Sequence, residues 1–211
     1  MINVKQNQSG QSLIEMLIAI FILIVALTAT IVLVVTSIQA GRDSINKLIA
    51  TNLAREGVEV VRNIRDGNWI EPDNIEVWDN GLDSGIMIPT IVPFGLSSDT
   101  IALVASTGFD DPEARINYSP DNNFYYQNYS GAPLDEEPTN FFRVIYLSNI
   151  CQDDVGNEGI VDLGSSDDCN TAYGGTYNKV GIRVISEVRW PNATSGRKVQ
   201  VEERLYNWQS L

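Results

Sequence analysis

The chain reads Gly10-Gln11-Ser12-Leu13-Ile14-Glu15 at the point where its longest apolar segment, Met16 to about Val35, begins. No charged residue occurs from Met16 to Gly41, which is about 26 residues. A membrane-spanning helix needs roughly 20 predominantly apolar residues, so this segment is long enough to cross a bilayer. Glu15 stands at its leading edge, where a carboxylate is costly in hydrocarbon and calls for a functional explanation.

Three simpler interpretations apply to the same residues. Ser12 and Glu15 have the spacing of a capping box, which satisfies backbone donors at the start of a helix. A secretory signal peptide has an apolar core of only about 7–15 residues and a small-x-small cleavage site. Cleavage after Ala40 would place Ile38 at the other selective position of that site. In a plain single-pass anchor, Lys5 would keep the N-terminus inside.

The N-terminus resembles that of type IV pilins and of the related type II secretion pseudopilins. The matching features are a short leader with a basic residue (Lys5), Gly10, Glu15 and the long apolar helix. The resemblance implies that a prepilin peptidase cleaves after Gly10 and that the new amine of Gln11 is methylated. The family usually has Phe at the position of Gln11. It also implies that Glu15 neutralises the N-terminal amine of a neighbouring subunit during assembly.

The resemblance also implies the architecture, an α+β fold in which a long N-terminal helix packs on a small antiparallel sheet. We expect a leader at residues 1–10, a transmembrane or filament-core helix at 11–40, and an amphipathic helix at 41–69. Residues 70–211 would form an acidic, β-rich head. The expected location is the inner membrane with the head outside, and an extracellular filament after assembly. The expected partners are other pilin subunits, the prepilin peptidase and an inner-membrane assembly platform.

Helical periodicity continues beyond the apolar segment. The apolar positions at i, i+3 and i+4 steps predict one face of an amphipathic helix: Ile45, Leu48, Ile49, Leu53, Val60, Val61 and Ile64. Gly57 lies where another element could approach closely, and Gly67 is the expected C-terminal cap of the helix. The segment Asn52–Trp69 resembles the helix end of minor pilins of the PilV type.

The charge distribution argues against nucleic-acid binding. From Ile70 to Leu211 the chain has 8 basic and 22 acidic residues, a net charge of −14. Such a surface keeps a domain soluble but repels phosphates.

The chain contains no histidine, which removes the commonest general base and the commonest metal ligand. We therefore do not expect an enzyme.

Alternating apolar residues predict strands in the head. The strongest signals are Phe141–Ile150, Tyr177–Trp190 and Arg197–Trp208, and the last two form a hairpin around Pro191–Gly196. Gly85–Val92 and Thr100–Ala105 are shorter candidates. We expect one face of the antiparallel sheet to be dry and the other wet, with Lys179, Arg183, Glu187 and Arg189 on the wet face.

An aromatic patch could serve recognition or cover the edge of the core: Tyr118, Phe124, Tyr125, Tyr126 and Tyr129.

Two cysteines lie in the part of the chain that we expect outside the membrane. Cys151 and Cys169 form an even pair in an oxidising compartment, which favours one disulfide over two free thiols. Four acidic residues in the loop between Cys151 and Cys169 are weak calcium candidates, since calcium prefers oxygen ligands: Asp153, Asp154, Glu158 and Asp162. Their spacing does not match an EF-hand, and a solvated acidic loop is the simpler interpretation. No other cofactor is expected.

Two other function classes stay open at this point. A pseudopilin of a type II secretion system has the same N-terminus but works in a short filament that pushes substrates. A membrane-anchored binding protein that never polymerises would keep residues 1–10, whereas a pilin loses them. The long irregular head and Gln11 favour a minor rather than a major pilin.

Overall fold

The computed structural model describes residues 9–70, 78–91, 101–121, 123–127, 137–161, 163, 168–191 and 196–207. Helix α1 runs from Ser9 to Ile70 and covers 62 residues. The internal contacts divide the chain into an N-terminal unit, Met1–Asn46, and a C-terminal unit, Lys47–Leu211. The C-terminal unit contains the last turns of α1 and every strand that the structure describes. This is the α+β architecture that the sequence predicts.

Small residues bring the C-terminal part of α1 close to the sheet. Ala50 and Ala54 are fully buried, and Val58 and Val61 follow them on the same face of the helix. Gly57 is also buried, and a Cβ at this position would overlap Ser186 Oγ and lie 3.2 Å from Arg143 Cδ. The close approach predicted at Gly57 is therefore confirmed.

Two details of the predicted helix are wrong. Ile45 and Leu48 are 59% and 63% exposed, because the buried face is centred on Ala50 and Ala54, on the other side of the helix. Gly67 is not a cap, since α1 continues through it to Ile70. The Asn68 side chain donates hydrogen bonds to the carbonyls of Trp78 (3.1 Å) and Asn80 (2.9 Å), which ties this extra turn to the next segment.

Among the described residues, eight strands follow the helix in one antiparallel sheet. Their bounds are β1 Gly85–Ile91, β2 Ile101–Ala105, β3 Arg115–Ser119, β4 Phe124–Tyr126, β5 Glu137–Asp153, β6 Glu158–Ile160, β7 Tyr177–Trp190 and β8 Arg197–Tyr206. A 3-10 helix, Pro112–Ala114, precedes β3, and a short helix α2, Cys169–Tyr173, precedes β7.

Strand β5 is the centre of the sheet. It pairs with β7 over most of its length and with β1, β3 and β6 on shorter stretches. Strand β7 then pairs with β8 from Gly181↔Tyr206 to Trp190↔Arg197, which confirms the predicted hairpin. On the helix side, Ile145, Leu147, Ile182 and Val184 pack against α1 in the main hydrophobic cluster.

The expectation of one wet sheet face is wrong over part of the sheet. On the face away from α1, Phe142 and Val144 pack against Phe109 and Ala114 from the segment before β3. Glu187, expected on the wet face, is only 3% exposed. Its carboxylate accepts a hydrogen bond from Arg189 Nε (2.6 Å) and another from Gln200 Nε2. A small second core therefore covers this face.

Candidate assembly site and head cavity

The predicted processing and assembly residues lie at the start of α1. Gly10 and Gln11 are in its first turn, and Glu15 follows as an exposed residue. Ser12 lies inside the helix rather than at its N-cap position, because the helix begins at Ser9. In the uncleaved chain, the capping-box interpretation therefore does not fit the position of Ser12.

The apolar part of α1 presents its side chains outward all round the helix. Large aliphatic and aromatic residues from Leu13 to Val35 are between 46% and 68% exposed. The segment is long and apolar enough to cross a membrane, and none of it is buried within the described residues. An exposed apolar surface of this size is typical of a membrane or protein interaction site.

Three threonines of the apolar part of α1 form hydrogen bonds within the helix. The hydroxyls of Thr28, Thr30 and Thr36 donate hydrogen bonds to backbone carbonyls three or four residues earlier, at 2.8 to 3.0 Å. Such bonds allow threonine to lie in a medium without water. Glu15 is then the one ionisable group between Lys5 and Arg42.

A family model for the prokaryotic N-terminal methylation motif matches residues 5–31, which include Gly10, Gln11 and Glu15. This motif and the long apolar N-terminal helix together fit a type IV pilin-like protein. No curated protein and no solved structure matches it. The apolar helix of this pilin-like protein also fits anchoring by a single pass through a membrane.

A disulfide joins Cys151 at the end of β5 to Cys169 at the start of α2, with their Cα atoms 5.7 Å apart. Both cysteines are buried with Val161 in a small separate cluster against Tyr177. The bridge closes the loop between β5 and α2 and connects it to the edge of β7.

The calcium candidates of the pilin-like protein have other partners. The Asp153 carboxylate accepts hydrogen bonds from the backbone N–H groups of Val155 and Asn157, and its pKa is lowered, mainly by the Asn157 side chain. Asp154 accepts from Thr176, and Glu158 from Tyr206. Asp162 lies outside the described residues. Among the described residues, no three acidic, cysteine or histidine side chains are grouped so that they could hold a metal ion.

The aromatic patch divides between core and surface. Tyr126 is buried, whereas Tyr125 is 39% exposed and contacts Tyr118 with 5.2 Å between ring centroids. Tyr118 donates a hydrogen bond of 2.6 Å to Asn123 Oδ1. Tyr129 lies outside the described residues. The β3–β4 hairpin therefore has aromatic residues in both environments.

Sequence reasoning missed a buried polar network under α1. Arg143 of β5 is 3% exposed, and Nη1 donates a 3.0 Å hydrogen bond to the Leu53 carbonyl. Nε donates to Gln127 Oε1 (2.6 Å), and Gln127 Nε2 donates to the carbonyls of Ala114 (2.7 Å) and Arg143 (2.9 Å). The one sign of this network in the sequence is an arginine within the apolar run Phe141–Ile150.

The charge of Arg143 is only partly compensated. Its one carboxylate partner within the described residues is Glu56, whose Oε1 lies 3.5 Å from Nη1. Burial lowers the pKa of Arg143, and the Glu56 carboxylate opposes that shift. A buried cation usually needs a close partner, because removing a charge from water is costly.

Proposed function

We propose that this pilin-like protein is a structural subunit, specifically a minor pilin, of a type IV pilus-like filament. The observation that carries the proposal is the exposed apolar surface of α1, with Glu15 as its single charge. Before assembly, lipid covers this surface in the inner membrane and the head is outside. In the filament, the helices of other subunits replace the lipid.

Glu15 determines the axial register of assembly in this proposal. Prepilin peptidase cleaves after Gly10, and the new amine of Gln11 is methylated but stays positively charged. The Glu15 carboxylate of one subunit pairs with that amine on its neighbour. Each group is costly to bury alone, whereas a paired carboxylate and amine can be buried together. An assembly platform in the inner membrane would deliver the subunits to the filament.

The composition of the head supports a structural rather than a catalytic role. The chain has no histidine, and its segment from Ile70 to Leu211 has a net charge of −14. A head with this charge suits the solvent-facing surface of a filament. It does not suit binding to nucleic acid, whose phosphates it would repel.

The mass of the mature N-terminus and the location of the protein test the proposal together. Intact mass spectrometry of membrane protein should show a chain that begins at a methylated Gln11. The same chain should appear in the sheared extracellular fraction. A chain that keeps residues 1–10 would indicate a plain anchor and would refute the proposal. A processed chain confined to the cell envelope would indicate a secretion pseudopilin instead.

A further inference from the structure

A cavity of about 260 Å³ lies between the C-terminal part of α1 and strands β1 and β2. Glu56, Glu59 and Val60 line it from the helix, and Pro89 and Ile101 line it from the strands. Asn63 of the helix, Gln127 and Arg143 also line it. The cavity therefore combines a buried cation, two carboxylates and an apolar wall within the C-terminal unit.

The guanidinium of Arg143 has unused donors at this cavity. Of its five N–H groups, the one on Nε bonds Gln127, and those on Nη1 face the Leu53 carbonyl and Glu56. The two N–H groups of Nη2 have no acceptor among the residues that the structure describes. Nη2 is not among the fully buried polar atoms that lack a partner, so these N–H groups are accessible from the cavity that Arg143 lines. A carboxylate is the acceptor that a guanidinium binds best.

The two helix carboxylates lie at the mouth of the cavity. The Glu56 side chain is 44% exposed and the Glu59 side chain is 61% exposed. Glu59 contacts Arg62, but Arg62 also contacts Glu203, so one cation serves two carboxylates. The mouth is therefore negative although the deepest group is positive, and it favours an ammonium group.

We propose that this cavity binds a free α-amino acid with a short aliphatic side chain. The carboxylate of the ligand binds Arg143, its ammonium group lies at Glu56 and Glu59, and its side chain packs on Pro89 and Ile101. A carboxylate alone would add negative charge beside Glu56, whereas a zwitterion leaves the net charge of the site unchanged. The volume suits a single amino acid rather than a larger ligand, since drug-sized pockets begin at about 300 Å³. The site does not depend on filament formation.

Calorimetric titration of the full-length protein in detergent micelles tests the assignment with three probes. L-Leucine has both charges, isovalerate has only the carboxylate, and isopentylamine has only the ammonium group. We expect saturable binding of L-leucine and binding about tenfold or more weaker for each of the other two, since each lacks one charged contact. No saturable heat with millimolar L-leucine, or equal affinity for isovalerate, would overturn the proposal.

Two tryptophan variants in β2 provide a matched comparison that leaves Arg143 in place. Ile101→Trp fills the cavity and should reduce L-leucine affinity by about tenfold or more. Val104→Trp is the control, because Val104 is similarly exposed (40% against 37%) but lies on the opposite face of the strand. Thermal unfolding shows whether both variants are folded. Equal affinity in the two folded variants would contradict the proposed site.

Glu59→Gln tests the ammonium position separately. The Glu59 side chain is the more exposed of the two carboxylates, so this change should leave the fold intact. We expect it to weaken L-leucine binding severalfold and to leave isovalerate binding unchanged or stronger. Unchanged affinity for L-leucine would show that its ammonium group does not lie at Glu59 and would refute the assignment.

Discussion

Glu15 is the residue at which the structural and functional interpretations of the N-terminus differ most. As a helix cap it could be replaced by glutamine with little effect. As the partner of a neighbour's amine, Glu15→Gln would strand a buried charge at a cost of about 3–5 kcal/mol per contact. We therefore expect the variant to be processed and membrane-bound but missing from the sheared filament fraction.

A matched control for Glu15→Gln lies in the 3-10 helix of the head. Glu113→Gln makes the same chemical change at an exposed position and should enter filaments normally. Immunoblots of the sheared and membrane fractions measure both variants. Equal incorporation of Glu15→Gln would remove the charge-pairing role.

Gly10 should be indispensable for processing. Gly10→Val places a branched side chain directly before the expected cleavage site, so we expect the uncleaved precursor to accumulate in the membrane. Gly41→Val is the control, because Gly41 lies in the same helix, far from that site, with nothing within 4 Å of an added Cβ. Mass spectrometry of the N-terminus distinguishes the two. Normal cleavage of Gly10→Val would remove the basis of the processing model.

Two glycines of α1 should respond oppositely to alanine. At Gly57 a methyl group would overlap Ser186 Oγ, so Gly57→Ala should destabilise the protein by roughly 1–3 kcal/mol. At Gly67 nothing lies within 4 Å, and Gly67→Ala should stabilise the helix by roughly 0.5–1 kcal/mol. Urea unfolding measures both changes. A stabilising Gly57→Ala would show that α1 does not approach the sheet this closely.

At the scale of elements, the disulfide connects the end of β5 to α2. Removing both cysteines, with Cys151→Ala and Cys169→Ala, leaves no free thiol and should lower the free energy of unfolding. The chain-entropy model gives about 3 kcal/mol for a loop of this length, an 18-residue separation. Urea unfolding of the variant beside oxidised and reduced wild type checks this value. Equal stability of all three would contradict a stabilising role for the bridge.

The long strands could be predicted because each has its own pattern. Strand β7 matches the predicted Tyr177–Trp190, and β1 and β2 lie within one residue of their predicted ends. The apolar run in β5 was recognised, but its extension at both ends comes from pairing with β3 and β6. Those partners are short and depend on that pairing, so a local pattern does not reveal them.

The buried charges could not be predicted from local sequence. Alternation places Glu187 on the face away from α1, which it does occupy. Its burial depends on Arg189, which contacts the Glu187 carboxylate and lies over the Phe109 ring, with Cζ 3.8 Å from the ring centroid. Arg143 likewise depends on Gln127, which is distant in the sequence. Tertiary partners decide both cases, so the cavity was missed while the N-terminal motif was found.

At the scale of the whole molecule, acid should destabilise the C-terminal unit. Hydrogen bonds to Asn157 and to Thr171 lower the pKa values of Asp153 and Asp168, and Arg183 lowers that of Glu202. A carboxyl group whose pKa is lower in the folded state stabilises the protein above its unfolded pKa of about 4. That stabilisation is lost as the pH falls through the folded value.

We therefore expect the melting temperature to be nearly constant from neutral pH to about pH 5 and to fall below about pH 4. Asp153→Asn should show a shallower fall, because one of the three carboxyl groups named above is absent. Circular dichroism melts over this pH range test both statements. A melting temperature that rises on acidification would contradict the assigned directions.

The hydroxyls of Thr28, Thr30 and Thr36, which bond back to their own helix, have a consequence for transfer between environments. They require no partner from outside, so lipid and protein are nearly equivalent solvents for this surface. Replacing lipid with protein around this surface therefore does little by itself to determine how neighbouring subunits are placed. In the proposed filament, Glu15 determines that placement, because its charge is the feature of the segment that distinguishes a neighbouring subunit from a lipid chain.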